Sequence, residues 1–326
     1  MDRFMATYVL ASGSSVLFID SGWDEELAAY MLDCALSLLA EAGFRPQKYY
    51  LLNTHRDWDH AWANRVFKRK LGERLCIGAS LETFLAMRQD LRLDEIGRRQ
   101  KGADGAYFQS AFIELPDLIW ANGEKIYLDD LEVQFIGASA HSEGQLVVWA
   151  PQLKLLFAAD SCEGPLPFPK SCHCLTEQLE DFKRLMELHS QQIWPAHHWA
   201  WSQDNPVVKS SFQVGDPKLL LANYNYYWQL EQNLRNSCSL SLKTACKVWL
   251  QQSWTVLESL LIDEEMWNQL EERAKPALIA QLEGWEKRWC IDIERLAKQT
   301  GQDCVAWSYQ RAHHMAALMS LEDYLK

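Results

Sequence analysis

Through the first two hundred residues the apolar positions switch repeatedly between the two-residue spacing of strands and the three-to-four-residue spacing of helices. Residues 8 to 19 are apolar on both sides of Ser12-Gly13-Ser14, which predicts a hairpin. Asp24-Glu25-Glu26 then opens an amphipathic helix that ends near Gly43, with acidic side chains where the helix dipole favours them. The pattern predicts a buried strand over 49 to 53, a helix over 61 to 69, a strand over 75 to 79 and a helix over 80 to 93. The glycine- and charge-rich piece 97 to 107 reads as a surface loop or a lid. Strand signals follow at 125 to 128 and 132 to 136 across an Asp129-Asp130 turn, at 145 to 149, and at 154 to 158 after Pro151. A helix over 176 to 189 and a strand over 192 to 194 close this part.

The pattern changes after about residue 205. From Asp216-Pro217, a good helix start, strand signals vanish and apolar stripes at helical spacing take over, Trp285, Trp289 and Ile293 among them. Four or five helices are expected there. The chain therefore divides into an α/β domain over 1–210 and an all-helical domain over 211–326. The helical part caps the first domain, pairs two copies as a homodimer, or packs as plain core.

Composition narrows the function. Lysine and arginine total 32 against 44 acidic residues, and a net charge of -12 disfavours nucleic acid or an anionic membrane as partner. No uninterrupted apolar stretch reaches the ~18 residues of a membrane span, and the start MDRFMATYVL lacks a signal-peptide pattern, so a cytoplasmic protein is expected. Nine scattered cysteines, an odd number, suit reduced thiols better than a disulfide framework. Among fifteen tryptophans, Trp58, Trp62, Trp199 and Trp201 flank histidine-rich stretches and are candidates to wall a pocket.

The candidate chemistry sits at strand ends. HRDWDH at 55 to 60 follows the strand at 49 to 53 and packs two histidines and two aspartates into six positions. His141 follows the strand at 132 to 136, Asp160 ends the strand at 154 to 158, and His197-His198 follow the last strand. Imidazole and carboxylate bind first-row metals at neutral pH, and loops at one edge of a sheet can converge on one cleft. Taken alone, HRDWDH could also be a solvated polar loop. Cys162, Cys172-His173-Cys174 and His313-His314 fit no common metal spacing.

Residues 5 to 205 resemble the metallo-β-lactamase superfamily, whose signature is His-x-His-x-Asp-His. AHSEGQ around His141, LFAADS around Asp160 and WPAHH around His197 resemble its Gly-His-Thr-x-Gly, Gly-Asp and Pro-Gly-His stations, and VLFIDSG is similar to its opening strand. The resemblance implies a four-layer αβ/βα metallo-β-lactamase-like sandwich, here with a C-terminal all-helical extension. It implies two divalent metal ions: the first held by His55, Asp57 and His141, the second by Asp59, His60 and His197, with Asp160 bridging. Asp20 would be structural, fixing the strand beside the site. His198 has no family counterpart as a ligand and reads as pocket wall or proton donor.

Asp57 stands where the family pattern has histidine. A carboxylate is a harder ligand than imidazole, which tilts the metal preference from zinc toward iron or manganese. The expected activity is a metal-dependent hydrolase in which a metal-bound hydroxide attacks an ester, thioester, lactone or related small molecule with an apolar portion. Asp59 would orient the water and His198 would protonate the leaving group. The alternative is a diiron protein that binds, reduces or senses oxygen, because flavodiiron proteins also carry a carboxylate at this position. A fold whose first metal station is weakened by Asp57, or a binding protein that works through its helical tail, are the remaining readings.

Overall fold

The computed structural model describes residues 5–102, 108–109, 111–163, 175–197, 215–221, 223–225 and 227–228. Two compact units emerge: Met5–Ser161 with His189–His197 form one, and residues 162–188 group with the described residues after 215 in the other. The expected boundary at 210 lies outside the described residues, as do most of the expected C-terminal helices.

The first unit is built on two five-stranded sheets. In one, the hairpin β1 (Tyr8–Ser12) and β2 (Ser15–Ile19) is extended in parallel by β3 (Lys48–Leu52), β4 (Leu75–Ala79) and a two-residue edge strand β5 (Leu118–Ile119). In the other, β6 (Lys125–Leu128), β7 (Leu131–Gly137), β8 (Leu146–Ala150) and β9 (Leu155–Ala159) run antiparallel, and β10 (Gln192–Pro195) joins β9 in parallel.

Why β2 is apolar at nearly every position follows from what it faces. Leu17 and Ile19 pack between the sheets with Leu52, Val133, Phe135 and Phe157, whereas Val16 and Phe18 face α1 (Glu25–Glu41) and α3 (Asn64–Leu71) through Leu32, Val66 and Phe67. A strand covered on both faces needs no polar alternation. The parallel β2–β3 and β3–β4 pairs require crossovers, and α1 and α3 supply them on one side.

Helix starts are set by short polar side chains, as the sequence suggests. Asp24 accepts from the Leu27 backbone N–H at 2.7 Å, and Ser80 does the same for Thr83 at the head of α4 (Leu81–Arg92). The helix expected over 61 to 69 is instead two pieces: α2 (Trp58–Ala61) and α3, broken where the Ala63 N–H turns to the Gly22 carbonyl. The expected loop at 97 to 107 begins as a short helix, α5 (Glu95–Gln100), capped by Asp94; 103 to 107 lie outside the described residues.

In the second unit, α6 (Leu175–Met186) replaces the helix expected over 176 to 189. Asn223 and Glu163 exchange two 3.0 Å hydrogen bonds, and Phe182 meets Tyr227 with ring centres 5.5 Å apart. Asp216 caps the turn that Pro217 starts, through the Lys218 N–H at 2.8 Å.

Candidate metal centre

The site begins with one carboxylate at the end of β2. Asp20 is buried and left-handed, with φ 62, a conformation that short polar side chains tolerate better than most. Its Oδ1 accepts the Thr54 backbone N–H at 2.8 Å; its Oδ2 accepts the Thr54 hydroxyl and His60 Nδ1, both at 2.8 Å. A carboxylate can only accept, so in its neutral, metal-binding form His60 carries its proton on Nδ1 and presents Nε2 as a lone pair. The Thr54 hydroxyl spends its one O–H donating to Asp20. At 3.0 Å it therefore accepts from His55 Nδ1, which leaves His55 Nε2 bare as well.

These bare nitrogens meet the other stations. His55, His141 and Asp160 form one group and Asp59, His60 and His197 another, each with its ligand atoms within 4.8 Å of one another. Asp160 lies between them. Its Oδ1 is 3.3 Å from His60 Nε2, and its Oδ2 is 3.7, 3.4 and 3.5 Å from the Nε2 atoms of His55, His141 and His197. Asp57 Oδ2 lies 3.4 Å from His55 Nε2 and 3.9 Å from His141 Nε2, so the departure from the family pattern reaches the first group. Asp59 Oδ2 lies 3.3 Å from His197 Nε2.

The spacing fits a metal better than direct bonding. Ligands about 2.1 Å from a tetrahedral ion stand about 3.4 Å apart, whereas N–H···O bonds close to about 2.9 Å. His60 Nε2 and His197 Nε2 face each other at 3.4 Å, and His55 Nε2 and Asp160 Oδ1 are buried without a hydrogen bond. A cation would satisfy all of them.

Charge points the same way. Burial alone would lower the His60 and His197 imidazolium pKa values, but Asp160 acts on both, with Asp20 and Asp59 on His60 and Asp59 on His197, and holds them well above the ordinary histidine range. Burial likewise raises Asp160 and Asp59; the neighbouring His60 and His197 outweigh it and hold Asp160 well below the usual carboxylate range and Asp59 below it. The pocket is built to hold positive charge.

Burial is graded across the cluster. His55 and His60 are fully enclosed, while the side chains of Asp57, Asp59 and His197 keep 24, 18 and 24 % of their surface exposed. The cluster is open to solvent on that side. Asp57 also stands at the N-cap of α2 without a side-chain cap bond. Half-buried Trp58, between the two aspartates, meets Trp23 and Phe108 edge-on at 5.0 and 5.2 Å. Trp62 is core rather than wall, at 2 % exposed, and Arg99 lies over the Trp58, Trp62 and Phe108 rings.

Sequence reading missed the braces. Asn53 and Asn64 exchange side-chain bonds at 2.9 and 2.7 Å, and tie the end of β3 to the start of α3 inside the core. Thr54 was missed too, although an aspartate at the end of one strand and a hydroxyl at the end of its neighbour were visible signals. His198, Trp199, Trp201, Cys172, His173, Cys174, His313 and His314 lie outside the described residues.

A sequence model of the family described as the metallo-beta-lactamase superfamily matches residues 3–168. No curated protein matches in sequence. Among solved structures, a metallo-beta-lactamase family protein of Thermus thermophilus is 16 % identical with a TM-score of 0.50, over 71 % of this chain and 77 % of that one. A stereoselective inverting sec-alkylsulfatase of Pseudomonas sp. gives the same identity and score over 71 % of this chain and 40 % of that one. A metallo-beta-lactamase of Pontibacter korlensis is 15 % identical with a TM-score of 0.46, over 67 % of this chain and 84 % of that one. At these identities the likeness concerns the fold.

Proposed function

The chain belongs to the metallo-beta-lactamase superfamily, and on that footing we propose that it is a binuclear metal-dependent hydrolase of a small molecule with an apolar portion, an ester, thioester or lactone. The observation that carries this is Asp160, set among four imidazoles at 3.3 to 3.7 Å, grouped with His55 and His141 and facing the second group through His60 and His197. His55, Asp57 and His141 would hold one ion, Asp59, His60 and His197 the other, and Asp160 would bridge. Two such ions, zinc, iron or manganese, would polarise the scissile group and lower the pKa of a shared water.

The chain's own residues supply the rest. Asp59, kept ionised by His60 and His197, lies on the exposed side of the cluster, where it can orient a water and accept its proton. The Asp20–Thr54 pair keeps two imidazoles in the tautomer that binds metal. Trp58 offers an apolar face beside the exposed side of the site, and the two carboxylates there, Asp57 and Asp59, disfavour a polyanion. His198, next to His197 in sequence, would protonate the leaving group. Asp59→Ala should abolish turnover of an ester, thioester and lactone panel while leaving circular dichroism unchanged; retained turnover overturns the assignment.

A second reading has Asp57 behind it. A carboxylate within 3.4 Å of His55 Nε2 suits iron, and so a diiron protein that binds, reduces or senses oxygen. Protein produced without added zinc would then contain iron and change absorption with oxygen. A colourless zinc protein that cleaves esters would remove this reading.

A further inference from the structure

We propose that Gln145 is a positioning residue that holds His141 and Asp160 in mutual register, and so acts more strongly on the ion beside His141 than on the other, which shares only Asp160 with it. The inference rests on the two-metal reading. Gln145 is fully buried, and its Nε2 donates to Ser161 Oγ at 2.6 Å and to the Ala138 carbonyl at 3.2 Å. A carbonyl only accepts, so the amide orientation is fixed. Ser161 follows Asp160 directly, and Ala138 opens the loop that carries His141.

The backbone of the same residue closes that loop at both ends. Gln145 N–H bonds the Ser142 carbonyl, and the Gln145 carbonyl accepts from Ala138 N–H, both at 2.9 Å. One residue on, Leu146 N–H bonds the Thr54 carbonyl at 2.9 Å, beside His55. Gly144 cannot carry a side chain here: its φ is 77, and a Cβ would fall 2.4 Å from Ser80 Oγ. The Gly144 carbonyl accepts from Thr83 Oγ1 at 3.3 Å, which pins the loop to α4. Residues 144–146 are therefore a hub that touches the His55, His141 and Asp160 stations. Among the described residues, no hydrogen bond joins Gln145 to Asp59, His60 or His197.

An amide is an awkward choice for this place if packing were its only role. Gln145 Oε1 is buried without a hydrogen bond, an arrangement an unbranched apolar side chain would avoid. What the amide adds is two donors aimed at two metal stations. Neighbours that orient ligands in this way commonly alter metal affinity about 10–100-fold when removed.

The test is cobalt(II) titration of the metal-stripped full chain, followed by its visible absorption and by competition with a chelator. Wild type, Gln145→Met and Ser161→Ala are compared. Gln145→Met keeps the volume and removes both donors; Ser161→Ala breaks the same link from the other end if the first variant does not fold. Two ions in the wild type, with one weakened about 10–100-fold and the other distinctly less in the variants, is the expected result. Equal weakening of both ions, or wild-type affinity for both, overturns the inference. A wild type that takes up fewer than two ions overturns the two-metal reading and this inference with it.

Discussion

Asp20 Oδ2 lies 2.8 Å from His60 Nδ1, and the same oxygen holds the hydroxyl of Thr54 that in turn receives His55 Nδ1. One carboxylate thus sets the tautomers of two imidazoles, one directly and one by relay. Asp20→Asn tests this while keeping a side chain suited to the left-handed backbone there. An amide nitrogen would replace one accepting oxygen and face a donor. We expect a loss of about 1–3 kcal/mol in stability by chemical denaturation and a roughly 10–100-fold loss of metal affinity by chelator competition. Wild-type affinity in a folded Asp20→Asn would break the relay argument.

Asp57→His should restore the family's ligand pattern. The substituted protein, equilibrated with equal zinc and ferrous iron under anaerobic conditions, is expected to bind a larger share of zinc by elemental analysis. The helix should keep its start, with circular dichroism unchanged, because the side chain makes no cap bond to α2. An unaltered metal ratio would mean that Asp57 does not ligate.

Metal uptake should release protons. Without metal, His60 and His197 stay protonated at neutral pH because their pKa values are raised, and ligation must displace those protons. About two protons should appear per ion pair, read by an indicator dye in weak buffer. The stability these raised imidazoles lend the metal-free fold is complete below about pH 6.5 and fades as pH rises through their folded values. Depressed Asp59 and Asp160 act at the other end, contributing above the ordinary carboxylate range, with a contribution lost as pH falls through their folded values. Melting temperature of the stripped protein should drop on the alkaline side, and metal should remove that drop. A flat alkaline profile would contradict the charge arrangement.

Ala159 takes φ 48 immediately before Asp160, where the family's station carries glycine. Ala159→Gly relieves that backbone but loses a buried methyl, so the two effects, each about 1 kcal/mol, should nearly cancel. Ala159→Val has no such compensation. It should cost about 1–3 kcal/mol and weaken metal binding by displacing Asp160, measured by denaturation and cobalt uptake. A valine variant that matches the glycine variant in both would show that the conformation carries no strain.

The candidate stations that the fold brings together were legible in the sequence because side chains able to bind metal are of a few types and stand at or just past strand ends, as Asp160 and His55 do. The sheets were legible for a related reason: β2 and β8 are buried along their whole length and show it as uninterrupted apolar residues. What escaped were features made by tertiary context. Leu118–Ile119 is too short to announce a strand and pairs only because β4 presents an open edge. Asn53 and Asn64 look like ordinary polar positions until the fold closes them on one another. The break between α2 and α3 arises from the Gly22 carbonyl, forty-one positions before the Ala63 it engages.

The uncapped start of α2 has a consequence for how such a site changes over evolutionary time. A ligand that also capped its helix would couple the identity of the metal to the integrity of the scaffold. Asp57 is uncoupled in this sense: the first turn of α2 closes through the Asp57 backbone carbonyl to the N–H groups of His60 and Ala61, which any residue can provide. If Asp57 ligates, position 57 is therefore a place where a single substitution would exchange one metal chemistry for another without unmaking the first turn of α2.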